Sequence, residues 1–346
     1  MAPEWAATIF SGVLGNLLGL FGPASRLYFP YLLTAIGFAV IAYVINRKRL
    51  KADGETSFFS YLFKPAAYLT ASSLVDVKIV LFNRAFVPFL ALANRAATVA
   101  SAALVAGLLL GSGAEEAFEA SKTNGPDLGF AALTLITISV TVASDFTSYW
   151  VHRIHHENPI FWPFHKVHHS AETLTPLTVL RKHPVYDFIR ALSNAFIVGP
   201  VQGIVFAMFG VNDVLVILGV NALYAVFHWT GSNLRHMHVW LSYGPVVSRI
   251  LISPAQHQIH HSCAAPHQDK NYGELFALWD WIFGTLYVPA GYEALQYGVA
   301  DKQGQALPQP HPTLKDAYLA PFKESAEAFR QRSRRDDANN KARATL

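Results

Sequence analysis

The sequence predicts an all-α integral membrane protein in which about four transmembrane helices carry a cytoplasmic, histidine-rich helical cap. Three observations lead there. Hydrophobic residues make up 52% of the 346 positions and Asp, Glu, Lys and Arg only 14%, well under the roughly 25% charged of soluble domains. Long apolar runs recur and end in basic residues, as membrane spans with a cytoplasmic end do. Three near-identical clusters, His152-Arg-Ile-His155-His156, His165-Lys-Val-His168-His169 and His257-Gln-Ile-His260-His261, follow or lie between such runs.

The elements can be justified in chain order. Residues 1–27 hold an apolar stretch broken by Gly and Pro, with no basic leader and no convincing cleavage site, and read as an interfacial segment rather than a cleaved signal peptide. Tyr28 to Ile45 is an apolar run closed by Asn46-Arg47-Lys48-Arg49-Leu50-Lys51, a span with its basic end in the cytoplasm. Residues 57–92 mix Phe, Tyr and Leu with Lys64, Asp76, Lys78 and Arg84, the pattern of an amphipathic helix lying at the interface. Ala93 to Gly111 is a span of small residues that exits into an acidic loop reaching Asp127. Leu128 to Val151 crosses back and delivers His152 to the cytoplasmic face. Ile189 to Phe209 and Val214 to Phe227 flank the turn Gly210-Val211-Asn212-Asp213 and predict a helical hairpin, its second arm short for a crossing. Leu314 to Phe329 predicts an amphipathic helix, and the polar remainder a mobile tail.

The clusters carry the chemistry. With 15 His in the chain, random placement gives roughly 0.03 copies of H-x-x-H-H, so three need a cause. Positions i, i+3 and i+4 of a helix share one side, so each cluster can aim two or three imidazoles at a common point. Imidazole suits iron, copper, nickel and zinc, and the donors are too many for one ion, so two ions are the natural reading. An isolated His would be a surface or hydrogen-bonded core residue, and a scavenging tract would be contiguous. The single Cys263 reads as a small hydrophobe rather than a ligand. The net charge of +4 does not imply nucleic acid, because the cations sit at the ends of apolar runs, where lipid headgroups explain them. A histidine-rich cation transporter or metal-binding membrane protein is the alternative, but it should place ionisable residues along its spans. A zinc hydrolase would need an H-E-x-x-H element, which this chain lacks.

Asp145 lies seven residues before His152, on the same helical face, and is the leading carboxylate to orient a metal-bound ring, since such rings donate their other N–H to an acceptor. Glu157 and Asp280 are weaker candidates. Buried in an apolar span, Asp145 should have a partner. The Trp and Phe residues around the clusters, Trp150, Trp162 and Trp240 among them, read as an interfacial belt.

Across residues 130–290 the chain resembles the fatty acid hydroxylase/sterol desaturase superfamily of membrane-bound di-iron oxygenases. The resemblance rests on Asp145-x-x-x-Tyr149-Trp150-x-His152-Arg153-x-x-His156, His165-x-x-His168-His169-Ser170, Arg181-x-His183-Pro184, His228, Ser253-Pro254-x-x-His257-x-x-His260-His261, Asn271-Tyr272-Gly273 and Trp279-Asp280-x-x-Phe283-Gly284-Thr285. It implies a catalytic domain at 128–290 between an N-terminal membrane region, 1–127, and a partly disordered tail, 291–346. It also implies two iron ions and dioxygen acting on a C–H bond of a sterol or fatty-acyl lipid, by hydroxylation or desaturation. The implied metal ligands and catalytic residues are His152, His156, His165, His168, His169, His257, His260 and His261, joined as ligands by His183 and His228. His155 points about 100° away from its neighbour and reads as a supporting residue. His236 and His238, after Asn233-Leu234-Arg235, could be ligands if the helix end folds over the site, but read as hydrogen-bonding or headgroup-facing; His267 and His311 read as surface residues. No haem domain, flavin fingerprint or iron–sulfur cysteine set is present, so a separate electron donor, ferredoxin- or cytochrome-type with a reductase, is implied. The location implied is a bacterial cytoplasmic or endoplasmic reticulum membrane, crossed several times, with the site on the cytoplasmic side.

Overall fold

Apolar runs become helices in this chain because a backbone surrounded by hydrocarbon must satisfy its own N–H and C=O groups, which a helix does within one segment. The computed structural model describes residues 4–344 apart from 56, 87, 123–125, 212 and 219. Its main helices are α1 (Glu4–Leu18), α2 (Phe29–Ile45), α3 (Ala71–Phe86), α4 (Pro88–Leu110), α5 (Phe130–Glu157), α6 (Trp162–His169), α7 (Pro184–Phe209), α8 (Ala222–Trp229), α9 (Pro254–His260) and α10 (Leu314–Ala344). Helices α5 and α7, with 28 and 26 residues, are long and apolar enough to cross a membrane. Their outward side chains, Phe130 and Leu135 on α5 and Phe196 and Met208 on α7, are exposed apolar groups, as a lipid-facing surface requires.

Up to two more crossings exist if each of two bent pairs counts as one span: Phe58–Tyr68 with Ala71–Ala85, bent by 76°, and Arg95–Leu110 with Ala114–Ala120, bent by 104°. The expected span at Tyr28 to Ile45 is a helix of 17 residues. At 1.5 Å per residue it reaches about 25 Å, short of a hydrocarbon core of roughly 30 Å. Its small residues Ala35, Ala39 and Ala42 pack instead against Leu234, Met237 and Leu241, so α2 buttresses the histidine-bearing region.

Residues 57–92 are not one interfacial helix. The chain breaks before Pro65 and again before Ala71, and Asp76 is fully buried against Arg181 at 2.8 Å rather than facing headgroups. The second arm of the expected hairpin is also different. Val216–Ile217 and Val220–Asn221 form a two-stranded antiparallel turn, and only eight residues follow as α8. Asn221 is the reason: its Oδ1 accepts from the Leu223 N–H and its Nδ2 donates to Thr141 Oγ1 at 3.0 Å, which caps α8 and pins the turn to α5. Helix α10 runs past Phe329 to Ala344, where a mobile tail was expected. Asn212 of the expected turn, and residues 123–125 of the expected acidic loop, lie outside the described residues.

Helix α7 packs against both α5 and α4, and most closely against α4. A Cβ on Gly203 of α7 would stand 2.5 Å from the Ala102 carbonyl oxygen, and one on Gly199 would stand 2.8 Å from the Thr98 carbonyl oxygen. Only glycine permits this approach. Gly203→Val should therefore cost roughly 1–3 kcal/mol through overpacking and lower the melting temperature in detergent. Gly37→Ala, in α2 with no atom within 4 Å of the added carbon, should be neutral or stabilising by up to about 1 kcal/mol. Equal melting temperatures for the two variants would contradict the packing.

Candidate metal centre

Four elements bring the histidines together. Helix α5 ends with His152 and His156 one turn apart, and α6 carries His165, His168 and His169 behind a first-turn Pro163. Helix α9 opens with a capping box, in which Ser253 Oγ accepts from the Gln256 N–H and Gln256 Oε1 accepts from the Ser253 N–H, fixing where its three histidines begin. The fourth element is the 3-10 turn Ser232–His236.

These residues form two adjoining groups, each with one ring nitrogen per residue and all of those nitrogens within 4.8 Å of one another. The first holds His152, His156, His165, His169 and His260; the second holds His168, His236, His257 and His261. The H-x-x-H-H spacing divides between them. On α6 the i and i+4 rings enter the first group and the i+3 ring the second, while α9 does the reverse. Where the groups meet, the rings of His169 and His261 stack at 4.4 Å.

The donor geometry fits metal ions. Nε2 atoms face each other at 3.2 Å between His165 and His169, and at 3.0, 3.3 and 3.3 Å for His236–His257, His168–His236 and His257–His261. With metal–nitrogen bonds of about 2.1 Å, neighbouring ligands lie about 3.0 Å apart in an octahedron and about 3.4 Å apart in a tetrahedron. The buried Nε2 atoms of His156 and His260 have no hydrogen-bond partner among the described residues, a costly state for a polar atom unless something binds there. Burial first, and nearby histidines and cations second, hold His165, His168, His169, His236, His257 and His261 well below their ordinary value. Burial pushes His260 down to about 4. The rings are neutral near pH 7, with lone pairs available.

The surrounding chain orients these rings through backbone carbonyls. His152 Nδ1 donates to the Tyr272 carbonyl at 2.7 Å and His260 Nδ1 to the Lys270 carbonyl at 2.8 Å, which leaves each Nε2 as the lone-pair nitrogen facing inward. Asp280 holds that loop by accepting from the Tyr272 and Gly273 N–H groups and from Thr285 Oγ1. Asp145 does not touch a histidine. It accepts from the Leu275 and Phe276 N–H groups and from the Trp279 indole N–H, so the partner expected for it is the loop itself. Asn271 is left-handed at φ 58°, and a Cβ on Gly273 would lie 2.4 Å from the Phe276 carbonyl oxygen, which accounts for Asn-Tyr-Gly at this turn. Arg181, fully buried, joins Asp76 to the Val167 carbonyl and Ser170 Oγ and so anchors the end of α6. Glu157 pairs with Arg153 at 2.9 Å, away from the rings.

His183 and His228, expected as ligands, are not brought into either group. His183 caps α7: its Nδ1 accepts from the Val185 N–H and its Nε2 donates to the Tyr318 carbonyl, so neither nitrogen is free for a metal. His228 pairs with Ser232 Oγ and packs edge-on to Tyr31. His155 donates to the Val151 carbonyl, and His238 donates to the Tyr61 carbonyl. His267 and His311 are buried rather than on the surface, His267 between Ser262 and Glu293 and His311 against Ser170. Cys263 is buried, with its Sγ towards the Gly298 carbonyl. Of His236 and His238, open as ligands if the chain folds over the site, the structure brings His236 into the second group and leaves His238 out; His236 follows no i, i+4 spacing, so the sequence favoured a hydrogen-bonding role for it.

Two outcomes follow. His236→Ala should weaken metal binding by at least roughly 100-fold, the upper end of what losing even an outer hydrogen-bond partner costs, whereas His183→Ala should retain metal; elemental analysis of both proteins decides. The second outcome concerns pH. The cluster histidines titrate lower in the folded state than the ordinary value of about 6.5, so below that pH the unfolded chain takes up protons that the folded one refuses. Stability should fall as pH drops from about 6.5 towards 4, and a melting temperature flat across that window would exclude neutral buried rings.

The fatty acid hydroxylase family model matches residues 137–285. Human alkylglycerol monooxygenase is 32% identical over 162 residues, covering 46% of this chain and 32% of that protein. A Delta(7)-sterol 5(6)-desaturase of Aspergillus fumigatus is 28% identical over 202 residues, covering 53% and 61%, and an ornithine lipid hydroxylase of Rhizobium tropici is 30% identical over 167 residues, covering 46% and 44%. The chain thus spans between about a third and three fifths of the length of these relatives. No solved structure matches it. All nine clustered histidines fall inside the matched segment, and it is this segment that is similar to the fatty acid hydroxylase family.

Proposed function

We propose that this protein is a membrane-bound oxygenase that holds two irons and uses dioxygen to hydroxylate or desaturate a lipid of sterol or fatty-acyl type. The observation that carries this reading is the division of nine imidazoles, eight of them on buried residues, into two adjoining groups with no carboxylate among the donors. The first group would hold one iron and the second the other. When bound, the pair supplies the activation of dioxygen and the oxidation of an unactivated C–H bond.

The chain's own residues prepare that chemistry. Burial keeps the rings neutral, and neutral donors leave the full positive charge of the ions in place, which carboxylate bridges would reduce. The carbonyls of Tyr272 and Lys270 hold His152 and His260 in one tautomer. Asp145 and Asp280 keep that loop closed over the first group and so limit water. Placement of the target bond then decides between hydroxylation and desaturation.

Lipid as substrate is supported by the apolar outer faces of α5 and α7 and by relatives named for alkylglycerols, sterols and ornithine lipid. We assign the oxidation to residues 128–290 and the site to the cytoplasmic side, where the basic run after Ile45 would lie, in a bacterial cytoplasmic or endoplasmic reticulum membrane. Electrons would come from a separate ferredoxin- or cytochrome-type donor with its reductase.

The test is to purify the protein in detergent, measure bound iron, and follow oxygen-dependent oxidation of co-extracted lipid. His168→Ala, in the second group, and His260→Ala, in the first, should each lower bound iron towards half and reduce turnover at least roughly 100-fold. Full iron and turnover in both variants would sink the assignment.

A further inference from the structure

The two histidine groups share a cavity of about 50 Å³ with a set of cations, room for roughly four water-sized atoms. Together with His165, His168 and His257, its wall carries Arg26, Lys182, Arg190 and Arg235, and the one acid in the lining is Glu274. That carboxylate is committed. It lies 3.2 Å from Arg26 and 3.1 Å from Arg190, and the Arg190 and Arg26 guanidinium groups, with Lys182 and Arg235 behind them, hold it well below the usual carboxylate range despite its burial.

The remaining positive charge is under-used. Arg235 is 1% exposed; it gives Nη1 to the Glu274 backbone carbonyl, while its buried Nε has no partner among the described residues. Arg26 Nη1 is likewise without one. The Lys182 ammonium stands 5.6 Å from the Tyr186 ring centre and forms no ion pair among the described residues. Of the other acids nearby, Asp145 has its oxygens filled by the 275–279 segment and Asp187 is exposed to solvent. Four cations thus line this cavity against one carboxylate. Such a wall carries an electrostatic cost that a bound anion relieves.

We propose that this cavity receives the anionic end of an amphiphilic substrate, a carboxylate or phosphate whose oxygens are bound by Lys182, Arg26 and Arg235. The cations and the imidazoles face one small cavity, so an anion held there places a carbon within a few bonds of it against the histidine groups. That second step rests on the oxygenase reading; the binding step does not. Regiochemistry would then be measured from the acidic group rather than from the far end of the chain.

The experiment compares affinities of the metal-loaded, full-length protein in neutral detergent for dodecanoate, dodecyl phosphate, dodecanol and inorganic phosphate, followed by tryptophan fluorescence. Dodecanoate and dodecyl phosphate should bind at least roughly ten-fold tighter than dodecanol, as expected for hydrogen bonds to charged groups. Lys182→Met should remove that advantage while bound metal stays unchanged, and Lys182→Arg should restore it. Arg26→Gln, at a second position, should weaken the anions and spare dodecanol. Equal binding of dodecanol and dodecanoate, or wild-type anion affinity in both Lys182→Met and Arg26→Gln, overturns the proposal. Inorganic phosphate binding as tightly as dodecyl phosphate would make a free anion the ligand and overturn the amphiphile. Absence of iron or of lipid oxidation would defeat the oxygenase reading and leave these affinities standing.

Discussion

Imidazole nitrogens that face one another at 3.0–3.3 Å inside a buried cap are the constraint on which the rest of this structure depends. Lone pairs at that separation, without water, are unfavourable unless protons or cations lie between them, and burial disfavours the protons. The Nε2 atoms of His156 and His260 have no partner among the described residues, and each would cost about 1–3 kcal/mol if left so. Metal binding would therefore be coupled to the closing of the cap, because ions would supply the interaction that the protein withholds.

Around this centre, Asp145, Asp280 and Arg181 secure backbone rather than rings, while Asp269 stands 3.9 Å from His156 Nδ1. Asp145 and Asp280 bind successive N–H groups of the 272–276 turn, and that turn offers carbonyls to His152 and His260. Arg181 and Asp76, both without solvent exposure, fasten α6 to α3 in the same way. A carboxylate bonded directly to an imidazole would pull its proton and vary the ring's basicity. A backbone carbonyl orients the ring with less change in charge, and leaves the ions with neutral donors. The concentration of positive charge near the cavity from Arg26, Lys182, Arg190 and Arg235 accords with that economy of anions.

The division of each H-x-x-H-H element between two groups has a helical cause. Residues i and i+4 are separated by about 40° around the axis and i+3 lies about 60° to the other side of i, so one helix seated between two centres gives a pair to one and a single ring to the other. Helices α6 and α9 occupy such seats in opposite senses. Helix α5, at the edge, gives both His152 and His156 to the nearer centre, and His236 from a 3-10 turn completes the farther one.

Local pattern determined what depends on neighbours in sequence. The apolar runs at α5 and α7, the three histidine spacings, the Ser253-Pro254 start of α9 and eight of the nine clustered histidines are legible because helix period, capping chemistry and imidazole donors are properties of short segments. Tertiary structure decided what depends on a partner far along the chain. His183 is taken by the Tyr318 carbonyl, 135 residues away, His236 is recruited by His257 and His168, and Asp76 is removed from the interface by Arg181. The turn at 216–221 replaces a helix because Thr141 is there to receive Asn221, and α2 stops short of a crossing and lies against the cap. In each case, the competing states of one residue differ by a hydrogen bond or an ion pair, and only the folded chain brings the deciding group within reach.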